Sequence, residues 1–337
     1  MSLKHQNRKN EHVSLSENFY NDDRHNSFND IQFVHHSFPK IDVKDISLKT
    51  EFAGLTFDAP FFINAMTGGS EWTGKVNEKL ARVAEATGLA IATGSVSAAM
   101  KIPEVEDSYK IVRKTHPNGL VFANLGAGHG LENAKRAVDL LQADAMQIHL
   151  NAPQEVVMPE GDREFRNWLS NIEEVVAGLD VPVIIKEVGF GMSRETITLL
   201  HSVGVKVVDV SGTGGTNFAQ IENYRRRNEK FDDIEGWGQS TAVSLLEAKD
   251  VRRDMALISS GGIRKPIEIV KSLALGANAV GISSHFLHLV LREGVEETIE
   301  IVEAWKKEIT RMMTLLGAQT VSDLHQTDLI ISGNTRD

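Results

Sequence analysis

The stretch Ala256-Leu257-Ile258-Ser259-Ser260-Gly261-Gly262-Ile263-Arg264-Lys265, continued by Ala279-Val280-Gly281-Ile282-Ser283-Ser284, decides the fold. A short apolar run ends in small polar residues and a Gly-Gly turn. Helix-like sequence follows from Lys265, and a second apolar run ends in two serines. Strand, helix and strand in that order make a parallel βαβ unit. Upstream the unit repeats, with apolar runs at Phe61–Ala65, Leu89–Thr93, Leu120–Asn124, Ala145–Leu150, Val181–Lys186 and Val205–Val210. Helical spacing separates most of them, as in Val76, Leu80, Val83 and Ala84, or Ile197, Leu200 and Val203. Eight such units close naturally into an α/β (βα)8 TIM barrel. An open doubly wound sheet is the alternative, weakened because no G-x-G-x-x-G turn follows the first strand.

The barrel is expected over residues 45–320, with Ala53-Gly54-Leu55 turning a hairpin ahead of the first strand. Residues 1–44 form an N-terminal arm, polar at its start and, on composition alone, mobile. Residues 321–337 are expected as a polar C-terminal tail, after a long helical stretch from Phe286 to Leu316. Two connections are irregular: Leu150 to Val181, with Pro153, Pro159 and Gly161, and Ser211 to about Gln239. A loop as long as the second in a compact domain is usually functional or mobile.

Across 337 residues, 36 Lys and Arg oppose 46 Asp and Glu, a net charge of −10. That balance argues against a nucleic-acid binder, which needs a basic face, but leaves room for a small anionic substrate. No apolar run is long enough to span a membrane, and no secretory leader is expected at the start. Cysteine is absent, which removes disulfides, thiolate metal sites and cysteine nucleophiles. The expected compartment is the cytoplasm.

Polar residues gather where the strands end: Asn64 to Gly69, Thr93-Gly94-Ser95, Asn124-Leu125-Gly126, His149-Leu150-Asn151, Lys186-Glu187, Asp209 to Gly212, and Ser259 to Gly262. Any one of them reads first as a turn or cap. Together they mark the carboxyl face of a barrel, where active sites form. Gly261-Gly262 and Ser283-Ser284, after the seventh and eighth strands, suit a phosphate. Lys186 closes an apolar strand, where an ammonium needs an anion or an electron-rich ring; an ion pair with Glu187 is the plainer alternative. In the run from Gln147 to Glu155, amide and carboxylate oxygens suit Mg2+ shared with substrate phosphates, while His149 alone could be a satisfied interior histidine. Arg8-Lys9 and Arg225 to Arg227 read first as solvated basic groups.

Taken together, Arg8-Lys9-Asn10-Glu11-His12, Ala65-Met66-Thr67-Gly68-Gly69, Gly94-Ser95-Val96-Ser97, His149-Leu150-Asn151 with Gln154-Glu155, Lys186-Glu187, Ser211 to Thr216 and Ser260-Gly261-Gly262-Ile263-Arg264 resemble the type 2 isopentenyl-diphosphate isomerases. The resemblance covers nearly the whole chain. It implies a TIM barrel holding FMN, interconversion of isopentenyl and dimethylallyl diphosphate, NADPH or NADH as reductant and Mg2+ on the diphosphate. FMN would meet Ala65, Met66, Thr67, Ser95, Asn124, Lys186, Ser211 and Thr216, with its phosphate at Gly261, Gly262, Ser283 and Ser284. Arg8, Lys9, Ser95, Ser97, His149 and Gln154 would hold the substrate. Asn151 and Glu155 would organise Mg2+. Gln154, His149 and Lys186 would serve the chemistry, and the arm would close over the diphosphate. The resemblance further implies a homo-oligomer, a tetramer or octamer. Trp237 to Thr241 departs from the family pattern in its middle.

Two rivals stay in view. FMN-dependent 2-hydroxy-acid oxidases are similar around the sixth strand, but Thr213 and Thr216 stand where that family has a catalytic histidine and a substrate arginine. A non-catalytic flavin-binding barrel is the other, opposed by the cluster of His149, Gln154 and Glu155.

Overall fold

Alternation along each short strand sends one set of side chains to a barrel axis and the other to surrounding helices. The computed structural model describes residues 2–21, 26–226, 229–251 and 253–335. Twelve strands run in chain order: β1 (Ile31–Phe33), β2 (Thr50–Phe52), β3 (Leu55–Phe57), β4 (Phe61–Ile63), β5 (Ile91–Ala92), β6 (Val121–Gly126), β7 (Ala145–His149), β8 (Val183–Lys186), β9 (Val207–Asp209), β10 (Ala256–Ser260), β11 (Ala279–Ile282) and β12 (Leu329–Ile331). Strands β4 to β11 are parallel neighbours and close into a barrel, β11 pairing with β4. All eight apolar runs read from sequence are barrel strands.

Residues facing outward, such as Phe61, Ile63, Val121, Ala123, Ile148, Ile185, Val208 and Val280, join the large core under the helices. Those facing inward form a separate core of Phe62, Ala92, Phe122, Ala145, Ile184, Val207, Ile258 and Ala279. The hairpin of β2 and β3 plugs its amino-terminal end: Phe57 lies 5.9 Å from the ring of Phe62 and 6.1 Å from that of Phe122. Its two-residue turn places Ala53 at φ 51° and Gly54 at φ 77°, the left-handed pair that a tight hairpin requires. With that end sealed by aromatics, the opposite end is left for chemistry.

Three expectations change. The helical stretch after β11 is two helices, Ser284–Arg292 and Val295–Leu315, broken at Gly294 with φ 93°. The carboxyl-terminal segment contributes β12, which pairs antiparallel with β1, so arm and tail are clasped to each other. The start of the arm is a helix, Ser2–Asn18, laid over the carboxyl face of the barrel.

Candidate active site

Above the inner apolar core the same inward positions turn polar, and they are bonded to one another. Asn64 Nδ2 donates to Asp209 Oδ2 at 2.8 Å, and Gln147 Nε2 donates to Asn64 Oδ1 at 2.9 Å. Asn124 Nδ2 donates to Gln147 Oε1 at 3.0 Å, and its Oδ1 lies 2.8 Å from His149 Nδ1. That last bond gives His149 its proton on Nδ1, because an amide oxygen only accepts, and leaves Nε2 as a lone pair. Burial, with Lys186 and Lys9 nearby, pushes His149 down to about 3, so the ring is neutral. Asp209 is fully buried and held by Ser260 Oγ at 2.6 Å and the Ser211 amide at 3.2 Å.

Lys186 rises from this layer, 5% exposed. Its Nζ donates to the Glu187 carbonyl at 2.5 Å and stands 3.9 Å from Asp209 Oδ2. The Glu187 carboxylate is not its partner. It turns away to accept the amides of Val188 and Phe190, and burial pushes it up to about 7. The ammonium therefore faces the cavity with donors to spare.

That cavity, about 490 Å³, is of ligand size, and every residue given above a cofactor, substrate or metal role by resemblance lines it. Its walls differ by strand. On the β10–β11 side, Gly261 and Gly262 take φ 97° and 81° and pack against the backbone of Gly212 to Gly215. A Cβ at Gly261 would come 2.1 Å from the Gly212 carbonyl oxygen. The helix Ser284–Arg292 begins beside them without a side-chain cap from Ser283, and a helix N-terminus favours an anion. Behind this wall Arg264 donates to the Gly262 carbonyl at 3.1 Å and the Gly214 carbonyl at 2.6 Å, tying the two glycine turns together. These features fit the phosphate of FMN.

Across the barrel lie β6 and β7, facing β10 and β11 in strand order. Asn151 Nδ2 donates to Glu155 Oε1 at 2.9 Å and to Gln154 Oε1 at 3.2 Å. Gln154 Nε2 in turn donates to Glu222 Oε1 at 3.1 Å. Among the described residues no three His, Asp or Glu converge on one point. One carboxylate and one amide are too few for an all-protein Mg2+ cage, but they fit Mg2+ shared with a substrate diphosphate.

The arm helix supplies Arg8, Lys9, His12, Val13 and Ser16 to the roof. Burial, then the charge of Arg8, brings Lys9 down to about 8 although Glu222 opposes the shift. His12 Nε2 lies 2.8 Å from Glu222 Oε1, and Arg225 joins Glu222, Glu160 and Glu11 of the arm. Burial works against the charge of Glu222, but His12, Arg225 and Gln154 outweigh it and hold the carboxyl down to about 2. The helix is further pinned where Tyr20 stacks on His288 at 4.1 Å and Glu17 meets His288 and Arg292, each at 2.8 Å.

The solvated readings of Arg8-Lys9 and Arg225 therefore fail: all three are paired or buried at the cavity, and Arg226 bonds the Val157 carbonyl at 2.6 Å. Arg227 lies outside the described residues. Glu222, His12 and Arg225 were given no site role because, apart from the i,i+3 pair of Glu222 and Arg225 on one helix, their partners lie far away in the chain.

Comparison with known proteins separates two kinds of likeness. The family described as FMN-dependent dehydrogenase matches residues 113–331. Solved structures that share the fold include a flavocytochrome b2 mutant, 20% identical with TM-score 0.65 over 92% of this chain and 78% of that one. A soluble mutant of (S)-mandelate dehydrogenase from Pseudomonas putida is 18% identical, with TM-score 0.65 over 93% and 89%. At such identity only the barrel is shared. An isopentenyl-diphosphate delta-isomerase of Latilactobacillus sakei is 51% identical over 329 residues, 98% of this chain and 94% of that one. The chain belongs to the FMN-dependent isopentenyl-diphosphate delta-isomerase family. A second such isomerase, from Staphylococcus saprophyticus, is 49% identical over the same shares of the two chains. Membership makes the protein an isopentenyl-diphosphate delta-isomerase, and the cavity is the candidate for its site.

Proposed function

We propose that the protein interconverts isopentenyl and dimethylallyl diphosphate by a 1,3-allylic proton shift, with FMN, Mg2+ and NADPH or NADH as reductant. The reading rests on one arrangement: two anion-binding walls face each other across one cavity. A backbone cradle on the β10–β11 side suits the phosphate of FMN. Arg8, Lys9, Ser97 and the Asn151–Glu155 turn opposite suit a second anion, the substrate diphosphate.

Reduced FMN, when bound, supplies acid–base chemistry at the alkene. The chain does the rest. Arg8 and Lys9 come down on the diphosphate from the arm, with Ser95 and Ser97 below them. His149, neutral with a free Nε2 lone pair, accepts a proton-bearing group of substrate or bound water. Glu155 and Asn151 present oxygens to Mg2+ on the diphosphate. Gln154, held at both ends by Asn151 and Glu222, keeps one amide orientation against the allylic carbons. Lys186 places a positive charge on the cavity floor, where it favours an anionic cofactor ring. The arm helix excludes water, which a weakly basic alkene requires for protonation.

Thr213 and Thr216, in place of a histidine base and a substrate arginine, speak against 2-hydroxy-acid oxidation. The deciding experiment is anaerobic incubation of purified protein with FMN, NADPH, Mg2+ and isopentenyl diphosphate. Catalytic formation of dimethylallyl diphosphate, lost from FMN-stripped protein, is expected. A protein that binds FMN and yields none would overturn the proposal.

A further inference from the structure

Ser97 stands in the turn Val96–Ala98 after β5, with its Oγ 2.5 Å from His129 Nε2. His129 lies just ahead of the helix Leu131–Leu141, and its Nδ1 is 3.1 Å from Asn133 Nδ2. An amide nitrogen can only donate, so Nδ1 must be the unprotonated nitrogen and the neutral ring carries its proton on Nε2. The amide cannot simply be reversed, because Arg136 Nη1 donates to Asn133 Oδ1 at 3.3 Å. The other arm of that guanidinium donates to the Met100 carbonyl at 3.4 Å, tying the helix to the segment that follows Ser97. Burial, then the charge of Lys101, keeps His129 below its ordinary value against the opposing pull of Asp162.

Direction follows along the chain of bonds. Asn133 donates to His129, His129 donates to Ser97, and the Ser97 hydroxyl keeps its own proton for the cavity. A serine without such a partner would present a lone pair or a proton with equal ease, and a lone pair repels an anion. We propose that His129 and Asn133 are positioning residues that lock Ser97 as a hydrogen-bond donor to the substrate diphosphate. The inference rests on the isomerase reading, since it is the diphosphate that makes the donor direction useful.

The test compares FMN-loaded parent, His129→Ala, His129→Gln and Asn133→Leu, each matched to the parent in FMN content and melting temperature. Inorganic pyrophosphate binding with Mg2+ is measured calorimetrically, alongside steady-state kinetics with isopentenyl diphosphate. A hydrogen bond to a charged group lost from the ground and transition states alike should weaken pyrophosphate binding about tenfold in His129→Ala. KM should rise by a similar factor with kcat within about twofold. The His129→Gln amide can donate to Ser97 and should restore most of the affinity, while Asn133→Leu should lose an intermediate share. Independently of any variant's folding, 15N spectra of labelled histidine should show the His129 Nδ1 unprotonated.

Unchanged pyrophosphate affinity in His129→Ala, a fall in kcat at constant KM, or a protonated Nδ1 would overturn the relay. If the parent binds pyrophosphate in the predicted manner but isomerises nothing, the isomerase reading falls and the relay stands. If parent and His129→Ala share the same KM as well as the same kcat, the relay alone falls.

Discussion

On the β10–β11 side of the cavity the wall is backbone. Gly212, Gly215 and Gly261 meet neighbouring atoms at distances that leave no room for a side chain, and the N-terminus of the Ser284–Arg292 helix completes the surface. On the β6–β7 side and in the arm the wall is side chains. Lys9 is buried beside Arg8, while Arg8, His149, Gln154 and Glu155 are held by partners outside their own elements, with Glu222 and Arg225 linking the arm to the barrel. A backbone wall is rigid and fits one constant group. A wall of side chains is adjustable and suits the proposed charged substrate.

The contrast predicts different failures on the two sides. The largest effect is expected from Gly261→Val, which puts branched atoms 2.1 Å from the Gly212 carbonyl oxygen at a φ of 97°. Strain and overpacking together should cost about 4 kcal/mol and abolish FMN binding, read by denaturant melts and flavin fluorescence. A variant that folds and holds FMN normally would mean that the wall yields as a side-chain wall does.

Glu187 lies between the walls, and its effect is set by pH. Its folded value of about 7 stands above the ordinary 4.5, so between those limits the folded state holds the extra proton. Its contribution is therefore complete below about pH 4.5 and is lost as pH rises through 7, the reverse of a salt-bridged carboxylate. The loss should approach about 3 kcal/mol. Urea melts at pH 5 and pH 8 should show Glu187→Gln losing less stability than the parent over that interval; equal losses would discard the assignment.

Lys186→Met keeps the length of the side chain and removes its charge. Turnover should fall about a hundredfold, the usual scale for deleting one preorganised electrostatic group, and FMN should bind more weakly. Normal values of both would leave the lysine without a role. The smallest effect belongs to Glu155→Gln, which should raise the Mg2+ concentration for half-maximal activity about tenfold while the FMN content stays at parent level. A loss of FMN in that variant would join the two walls that the structure separates.

The strands and their closure into a barrel were legible because they depend on local pattern. The eight apolar runs and the polar residues closing them specify a closed parallel barrel and the face that carries the site. Glycine pairs at Gly261-Gly262 were legible for the same reason, since only glycine serves such φ values cheaply. The arm was not legible from its residues alone. Its helix is polar on most sides and is held by Glu11 with Arg225, Glu17 with His288 and Arg292, and Tyr20 stacked on His288. No apolar stripe announces such docking, so composition reads it as a free segment. Resemblance to a family, not periodicity, pointed to Arg8 and Lys9, which line the cavity.

The sequence by itself determined the barrel, the end at which chemistry sits and the residues available there, because alternation and turn chemistry act between near neighbours. Tertiary structure alone decided the partners. Lys186 faces the cavity beside Asp209 while Glu187 turns to backbone amides, and His149 holds its proton on Nδ1 because Asn124 is opposite. Glu222 reaches Gln154 and His12 across the fold. Apart from Glu187, whose amide donors are its near neighbours, each depends on elements tens to hundreds of residues apart meeting in a buried site, where one hydrogen bond fixes a tautomer or a charge.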